Sequence, residues 1–185
     1  MKLLKIILVI FITLTNGLKA DSKNEILDNL QKGGYLIFIR HAYAPGGGDP
    51  DNFDINDCST QRNLNDQGRE QSKKIKNFFT ENKIPVDSVI SSEWCRCKET
   101  ALIAFNKFET KKFLNSFYSS KFLKNKKTQM KNLKKYIKGW NSGKNLVLVT
   151  HYVVISETLN YTPSSGEIIV ADKNFKILGN IEIDY

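Results

Sequence analysis

The sequence predicts an α/β protein, a three-layer α/β/α sandwich built on a mainly parallel mixed sheet. Three observations carry that expectation. Tyr35 to Ile39, Val86 to Ser91 and Asn145 to Thr150 are short, nearly continuous apolar runs, the mark of strands buried on both faces. Stretches with helical spacing of apolar residues separate them, so strands and helices alternate. The chain has 185 residues, 41% of them hydrophobic, which suits one domain with one ordinary core.

The first twenty residues stand apart from that domain. Lys2 and Lys5 give a positive start, Ile6 to Leu14 is an apolar run, and Ala20 offers a small residue before Asp21. The apolar run is too short for a spanning helix, which needs ~20 such residues. Residues 1–20 are therefore expected to be a signal peptide that is cleaved, leaving an exported protein, periplasmic or secreted, with no stable membrane insertion. Without a cysteine at the cut, no lipid anchor is expected.

Within residues 21–185, Asn24 to Leu30 reads as a short helix that ends near Gly33 and Gly34. After the first strand, Ala42 to Arg62 is rich in Gly, Pro, Asp and Asn and reads as a long loop, a length usually tied to function. Asn65 or Asp66 caps a helix running to about Asn82, and Ser91 or Ser92 caps another from Glu93 to about Phe105. Lys111 to Phe117 is a strand or an irregular stretch. Met130, Leu133, Ile137 and Trp140 fall on one face of an amphipathic helix from Lys126 to Ser142. A short helix over Tyr152 to Leu159 follows, then strands at Glu167 to Ala171 and Ile177 to Ile183 joined by a turn at Asp172 to Asn174.

The net charge is +9. Many of the lysines lie between Lys107 and Lys144, where the plain reading is a solvated helix face. No aromatic residues alternate with them as a stacking platform requires, so no nucleic-acid partner is expected. Three cysteines, Cys58, Cys95 and Cys97, suit one disulfide and one free thiol in an oxidising compartment. With two histidines in the chain, Cys-x-Cys is weak support for zinc, and no metal site is expected.

Those two histidines carry the chemistry. His41 and His151 each directly follow a buried strand, and ligands of open α/β sheets bind at the carboxyl ends of strands. Arg40 precedes His41, Arg62 closes the long loop, and Arg96 lies just past the strand ending at Ser91. Three arginines and two imidazoles on one rim suit a phosphate dianion, which guanidinium groups hold in a two-pronged fashion. Helix N-termini nearby add oriented N–H donors.

Four segments resemble one family. Arg40-His41-Ala42 is similar to the Arg-His-Gly signature of the histidine phosphatase superfamily, the phosphoglycerate mutase-like proteins. Arg62 to Gly68 resembles its Arg-x-Leu-Thr-x-x-Gly segment, Ser91 to Ala101 its Ser-Ser-x-x-x-Arg-x-x-x-Thr-Ala segment, and Val149-Thr150-His151 its Val-Ser-His segment. The four occur in the family's order. The resemblance implies a phosphoglycerate mutase-like fold with residues 21–185 as the histidine phosphatase domain. It implies that His41 is the nucleophile and forms a phosphohistidine. Arg40, Arg96 and His151 would act with it on the phosphate oxygens, and Arg62 would be a further phosphate-binding residue. No metal or other cofactor is implied.

The resemblance breaks at the proton donor. Many members use a Glu beyond the helix of the second arginine, where this chain has Leu114 to Ser120 without an acid. Others place an Asp after the second histidine, where Tyr152 stands. Asp49, Asp51, Asp54 and Asp57 in the loop and Glu93 beside Arg96 are candidates, each also readable as a solvated turn acid or helix-start charge. Ala42 and Tyr152 replace common glycines, and Ser164 to Glu167 resembles a turn that closes the site in some relatives.

The expected function is exported, metal-independent phosphatase chemistry on a phosphomonoester, either a small molecule or an envelope glycan. The alternative is a phosphate- or phospho-glycan-binding protein of the same fold with little turnover. If Arg62 and Arg96 share one phosphate, Cys58 and Cys95 come close enough for a disulfide, leaving Cys97 free. The secreted or periplasmic protein should begin at Asp21 by mass spectrometry, whereas an intact Met1 in membrane fractions would point to an anchor.

Overall fold

The computed structural model describes residues 24–185. The expected signal peptide, residues 1–20, lies outside them. Helix α1 covers 24–32 of the described residues, and strand β1 follows at Leu36–Arg40. After the long loop come α2 (Asp66–Glu81), β2 (Val86–Ser91), α3 (Cys95–Phe105) and a two-residue strand β3 (Glu109–Thr110). A short α4 (Ser120–Leu123), α5 (Lys126–Gly139), β4 (Asn145–Thr150) and α6 (Tyr152–Leu159) lead to β5 (Ile168–Ala171) and β6 (Ile177–Ile181).

One mixed six-stranded sheet runs in the order β3-β2-β4-β1-β5-β6. β1, β4, β2 and β3 pair in parallel, while β5 and β6 add an antiparallel edge. Alternation along the strands sorts the core into two layers. Ile37, Ile39, Val147, Val149, Ile168 and Val170 face Leu30 of α1, Ile75 and Phe79 of α2, and Ala101 of α3. Leu36, Phe38, Leu146, Leu148 and Ile169 face Leu133 and Ile137 of α5 and Val154 and Ile155 of α6. Every residue of β4 is buried, as its unbroken apolar run requires. This is the expected three-layer sandwich. Among the described residues no helix is long and apolar enough to cross a membrane.

Several boundaries differ from the sequence reading for identifiable reasons. α3 begins at Cys95 rather than Glu93 and has no side-chain cap. Ser92, an expected cap, instead turns its hydroxyl toward His151 and Asn115. α5 stops at Gly139, because Trp140 is extended and its indole donates to Asp87 at 3.0 Å. Of the two readings of Lys111 to Phe117, the irregular stretch is the one the structure shows. The ladder ends at Thr110, Lys111 N–H donates to Ser91 O, and Lys112–Leu114 turns as a 3-10 helix. α4 has no counterpart in the sequence reading. The long loop holds its own short 3-10 turn at Cys58–Thr60, capped by Asp57.

Two devices fix that loop to the helical layer. Cys58 and Cys95 form the expected disulfide, with Cα atoms 5.7 Å apart, and Cys97 is free and buried. The bridge spans 37 residues of sequence and ties the loop to the first turn of α3, a closure worth ~2–4 kcal/mol in the usual model. At the start of α2, Asn65 accepts from Gly68 N–H at 3.0 Å. A Cβ on Gly68 would stand 2.0 Å from the Tyr43 carbonyl oxygen, so only glycine lets the helix approach the loop this closely. Gly68→Ala should therefore lose ~1–3 kcal/mol in urea unfolding, the usual cost of overpacking a close contact. An unchanged midpoint would show that the loop yields freely.

Candidate active site

The parallel register aligns the carboxyl ends of three strands. Arg40 pairs with Thr150 and Ser91 with Val149. His41 N–H donates to Thr150 O at 2.9 Å and Ser92 N–H to Val149 O at 3.0 Å, so the ladder continues one residue past β1 and β2. His41, Ser92 and His151 thus leave the sheet side by side, and the two imidazole centroids are 5.4 Å apart. Arg96 enters from the first turn of α3, and the loop folds back to bring Arg62. Arg40, His41, Arg62, Arg96 and His151 all line one cavity of about 410 Å³, together with Asp49, Trp94 and Tyr152.

His41 is 2% exposed and Arg96 3%. The His41 Nδ1–H donates to the carbonyl of the next residue, Ala42, at 2.8 Å, and Nε2 accepts from Arg96 Nε–H at 3.2 Å. A guanidinium only donates, so Nε2 carries a lone pair and the ring is neutral. Burial, and then the charge of Arg96, holds the His41 imidazole well below its ordinary pKa. The result is an unprotonated nitrogen held in a fixed direction among cations.

His151, also 2% exposed, is held by the same guanidinium. Arg96 Nη2 lies 3.5 Å from Nδ1, which therefore accepts, and Nε2 is 2.9 Å from the Ser92 hydroxyl. Ser92 in turn donates to Asn115 Oδ1 at 3.1 Å, and Asn115 is itself fixed by Glu93 at 2.7 Å. Burial first, then Arg96 and His41, pushes the His151 imidazole well below its ordinary value. Beneath it the Cys97 thiol, pushed up to about 12 by burial, is not nucleophilic.

The other two arginines are braced by backbone carbonyls. Arg40 donates to Pro163 O at 2.9 Å and lies 5.4 Å over the Tyr152 ring, while its Nε–H is buried without a partner among the described residues. Arg62 donates to Gly48 O at 2.9 Å and to Ala44 O, pinning the glycine turn. Burial, foremost, lowers the pKa of both, and the charge of Arg96 adds to it. The segment 163–167 closes the far side. Gly166 N–H donates to the carbonyls of Arg40 and His41, and buried Glu167 gathers Tyr161, Asn180 and Ser164 N–H around its carboxylate.

No protein-family model matches the sequence, and no curated protein does so. The fold does match solved structures. TTHB049 from Thermus thermophilus superposes with a TM-score of 0.58 at 14% identity, over 81% of this chain and 99% of that one. The protein histidine phosphatase SixA, in a complex with tungstate, gives 0.56 at 14% identity, over 80% and 96%. Phosphoglycerate mutase from Thermus thermophilus gives 0.56 at 14%, over 81% and 99%. The chain has the histidine phosphatase fold.

On that fold the sequence reading undervalued one residue. Asp49 is not a solvated turn acid. Its carboxylate meets Arg96 Nη1 at 2.7 Å and Nη2 at 3.3 Å, the Trp94 indole N–H at 3.0 Å and Arg62 N–H at 3.1 Å. Its one sequence signal was position, a carboxylate beside three glycines in a loop that ends at an arginine. Asp51 also borders the cavity, Asp57 caps the 3-10 turn, Asp54 holds Asn56 N–H, and Glu93 supports Asn115. Tyr152 walls the pocket, and Tyr118, 61% exposed, stands near it at the mouth.

The two buried imidazoles give stability a defined pH dependence. Unfolded histidines take a proton near pH ~6.5, whereas the folded ones resist it. Their contribution is fully present above that pH and is lost as pH falls, because the unfolded state then binds more protons. The ligand-free melting temperature should drop between pH ~7 and ~5. Added sulfate should recover more of it at the acid end, since the anion favours imidazolium. A melting temperature flat over this range would contradict the burial of both neutral rings.

Proposed function

We propose that the chain is an exported, metal-independent phosphatase that hydrolyses a phosphomonoester through a phosphohistidine on His41. The observation that carries this reading is the His41 imidazole: neutral, oriented by Ala42, with its Nε2 lone pair directed at Arg96 inside a cavity bordered by Arg40, Arg62 and His151. A nucleophile must be unprotonated, and a phosphoryl group in transfer needs positive charge around its oxygens. Both needs are met by side chains, so the scheme invokes no metal or other cofactor. SixA takes tungstate, a tetrahedral oxyanion like phosphate, on the same fold, which supports the same use of this pocket.

In this scheme Nε2 attacks phosphorus as the Arg96 Nε–H passes from the ring nitrogen to a phosphoryl oxygen. Arg40, with its free Nε–H, and Arg62 add charge from either side. His151 Nδ1, an acceptor at rest, takes up a proton with the dianion and becomes a donor. The substrate class is a phosphate ester of the envelope or of an extracytoplasmic solute. The Cys58–Cys95 disulfide is compatible with such a compartment.

A binding protein with negligible turnover is favoured by one observation: Asp49 is paired with Arg96 and ionised at rest, so no acid stands ready. Turnover separates the two readings. The purified mature protein should release phosphate from nitrophenyl phosphate, and quenching in alkaline detergent should trap a phosphoenzyme that acid then hydrolyses. His41→Ala should abolish both and keep the fold. Near-normal activity in that variant would overturn the nucleophile, and tight phosphate binding without turnover in the wild type would establish the binding protein.

A further inference from the structure

Expelling an alkoxide from phosphorus requires a proton for the departing oxygen, a service worth ~10²–10⁴-fold. Among the described residues that line the cavity, the carboxylates are Asp49 and Asp51. Asp51 makes no ion pair with the anion-binding arginines, whereas Asp49 shares one guanidinium with the nucleophile. Arg96 Nε is 3.2 Å from His41 Nε2, and Arg96 Nη1 is 2.7 Å from Asp49 Oδ1. A phosphoryl group held by Arg96 in front of His41 would therefore have Asp49 as a neighbour across the same cavity. Asp49 is carried by a turn containing three consecutive glycines, Gly46 to Gly48, of which Gly46 and Gly48 have positive φ, a conformation that glycine adopts without strain.

We propose that Asp49 is the catalytic acid and base of this site, giving its proton to the leaving oxygen and taking one back from the attacking water. The proposal rests on the phosphatase reading above. In the first step the His41 Nε2–P bond forms, the P–O bond to the leaving group breaks, and the Asp49 proton passes to that oxygen, which departs as an alcohol. In the second step a water oxygen attacks phosphorus, Asp49 accepts the water proton, the N–P bond breaks and inorganic phosphate leaves.

The resting carboxylate acquires its proton through substrate binding. Burial by itself raises the Asp49 carboxyl; the hydrogen bonds and charge of Arg96, with Trp94 and Arg62 N–H, more than offset this and hold it below its ordinary value. A phosphate dianion competes for those Arg96 donors and sets negative charge beside the carboxylate. Burial then dominates, and Asp49 takes a proton from solvent as the substrate settles. The acid is absent in the free protein because the same arginine serves both anions in turn.

Leaving-group dependence tests this. The wild type and Asp49→Asn are compared on nitrophenyl phosphate, whose leaving group needs little help, and on glycerol phosphate, whose alkoxide needs a proton. The variant should lose ~10²–10⁴-fold in kcat/KM on glycerol phosphate and far less on nitrophenyl phosphate, with sulfate binding retained. Equal losses on both would overturn the proposal and make Asp49 a residue that merely positions Arg96. Unchanged rates with tighter sulfate binding would overturn it in favour of a simple competitor for the site. A series of aryl phosphates on the wild type needs no variant: a shallow dependence on leaving-group pKa supports an acid, and a steep one overturns it. If the wild type turns over none of these and forms no phosphoenzyme, the phosphatase reading falls and the acid falls with it. If the wild type is active and only the Asp49 comparison fails, the phosphatase reading stands alone.

Discussion

A single buried guanidinium organises this molecule. Arg96 is nearly inaccessible and touches both imidazoles and the Asp49 carboxylate. A buried cation is costly unless its donors are taken up, and here each branch has a partner. Because guanidinium groups only donate, the partners are forced to be acceptors, which settles both histidine tautomers and the charge of Asp49. The protonation states of three groups thus follow from one side chain at the first turn of α3.

That side chain is in place because of backbone geometry established elsewhere. Parallel pairing of β1, β4 and β2 makes the strand ends coincide, and the carbonyls of Val149 and Thr150 take the N–H groups of Ser92 and His41 just beyond the sheet. The antiparallel β5 brings the segment before it back across β1, so Gly166 and Pro163 brace Arg40 and His41 from the side opposite α3. Every site residue except those of the loop therefore sits at the end of an element whose far side is hydrophobic core. The loop residues Asp49 and Arg62 owe their positions to the Cys58–Cys95 bridge and to the close approach of Gly68.

What the sequence made legible follows the same division. Buried strands are read well because an unbroken apolar run such as Leu146 to Val149 leaves no face for solvent, and the histidines at their ends inherit that clarity. The disulfide was legible because both cysteines neighbour arginines expected to meet. Asp49 was not, because its partners, Arg96 and Trp94, lie over forty residues away in sequence and no local spacing encodes the contact. The same holds for the start of α3. Ser92 has the side chain of a cap, and its hydroxyl does accept from Trp94 N–H just ahead of α3, but it is shared with the long-range partners His151 and Asn115. The β3 edge and α4 lack any periodic signal, being too short to show one.

The cationic cavity also explains why so much structure is spent on a loop. Arg40 and Arg62 each feel burial and the charge of Arg96, so the ligand-free site holds like charges together at a cost to stability. Left to itself, such a cluster would spread into solvent. Asp49 relieves part of that repulsion in the resting protein, and on the proposed reading an incoming phosphate relieves more, so the site would be most stable with an anion in it. A covalent tie next to Arg96, placed where repulsion would otherwise push the loop outward, keeps the arrangement intact between those two states. On the proposed reading, export and catalysis are linked at this point. The bond that holds the charges in position forms in oxidising surroundings, so a chain retained in a reducing compartment would fold its sheet and helices while its phosphate site lost the constraint that assembles it.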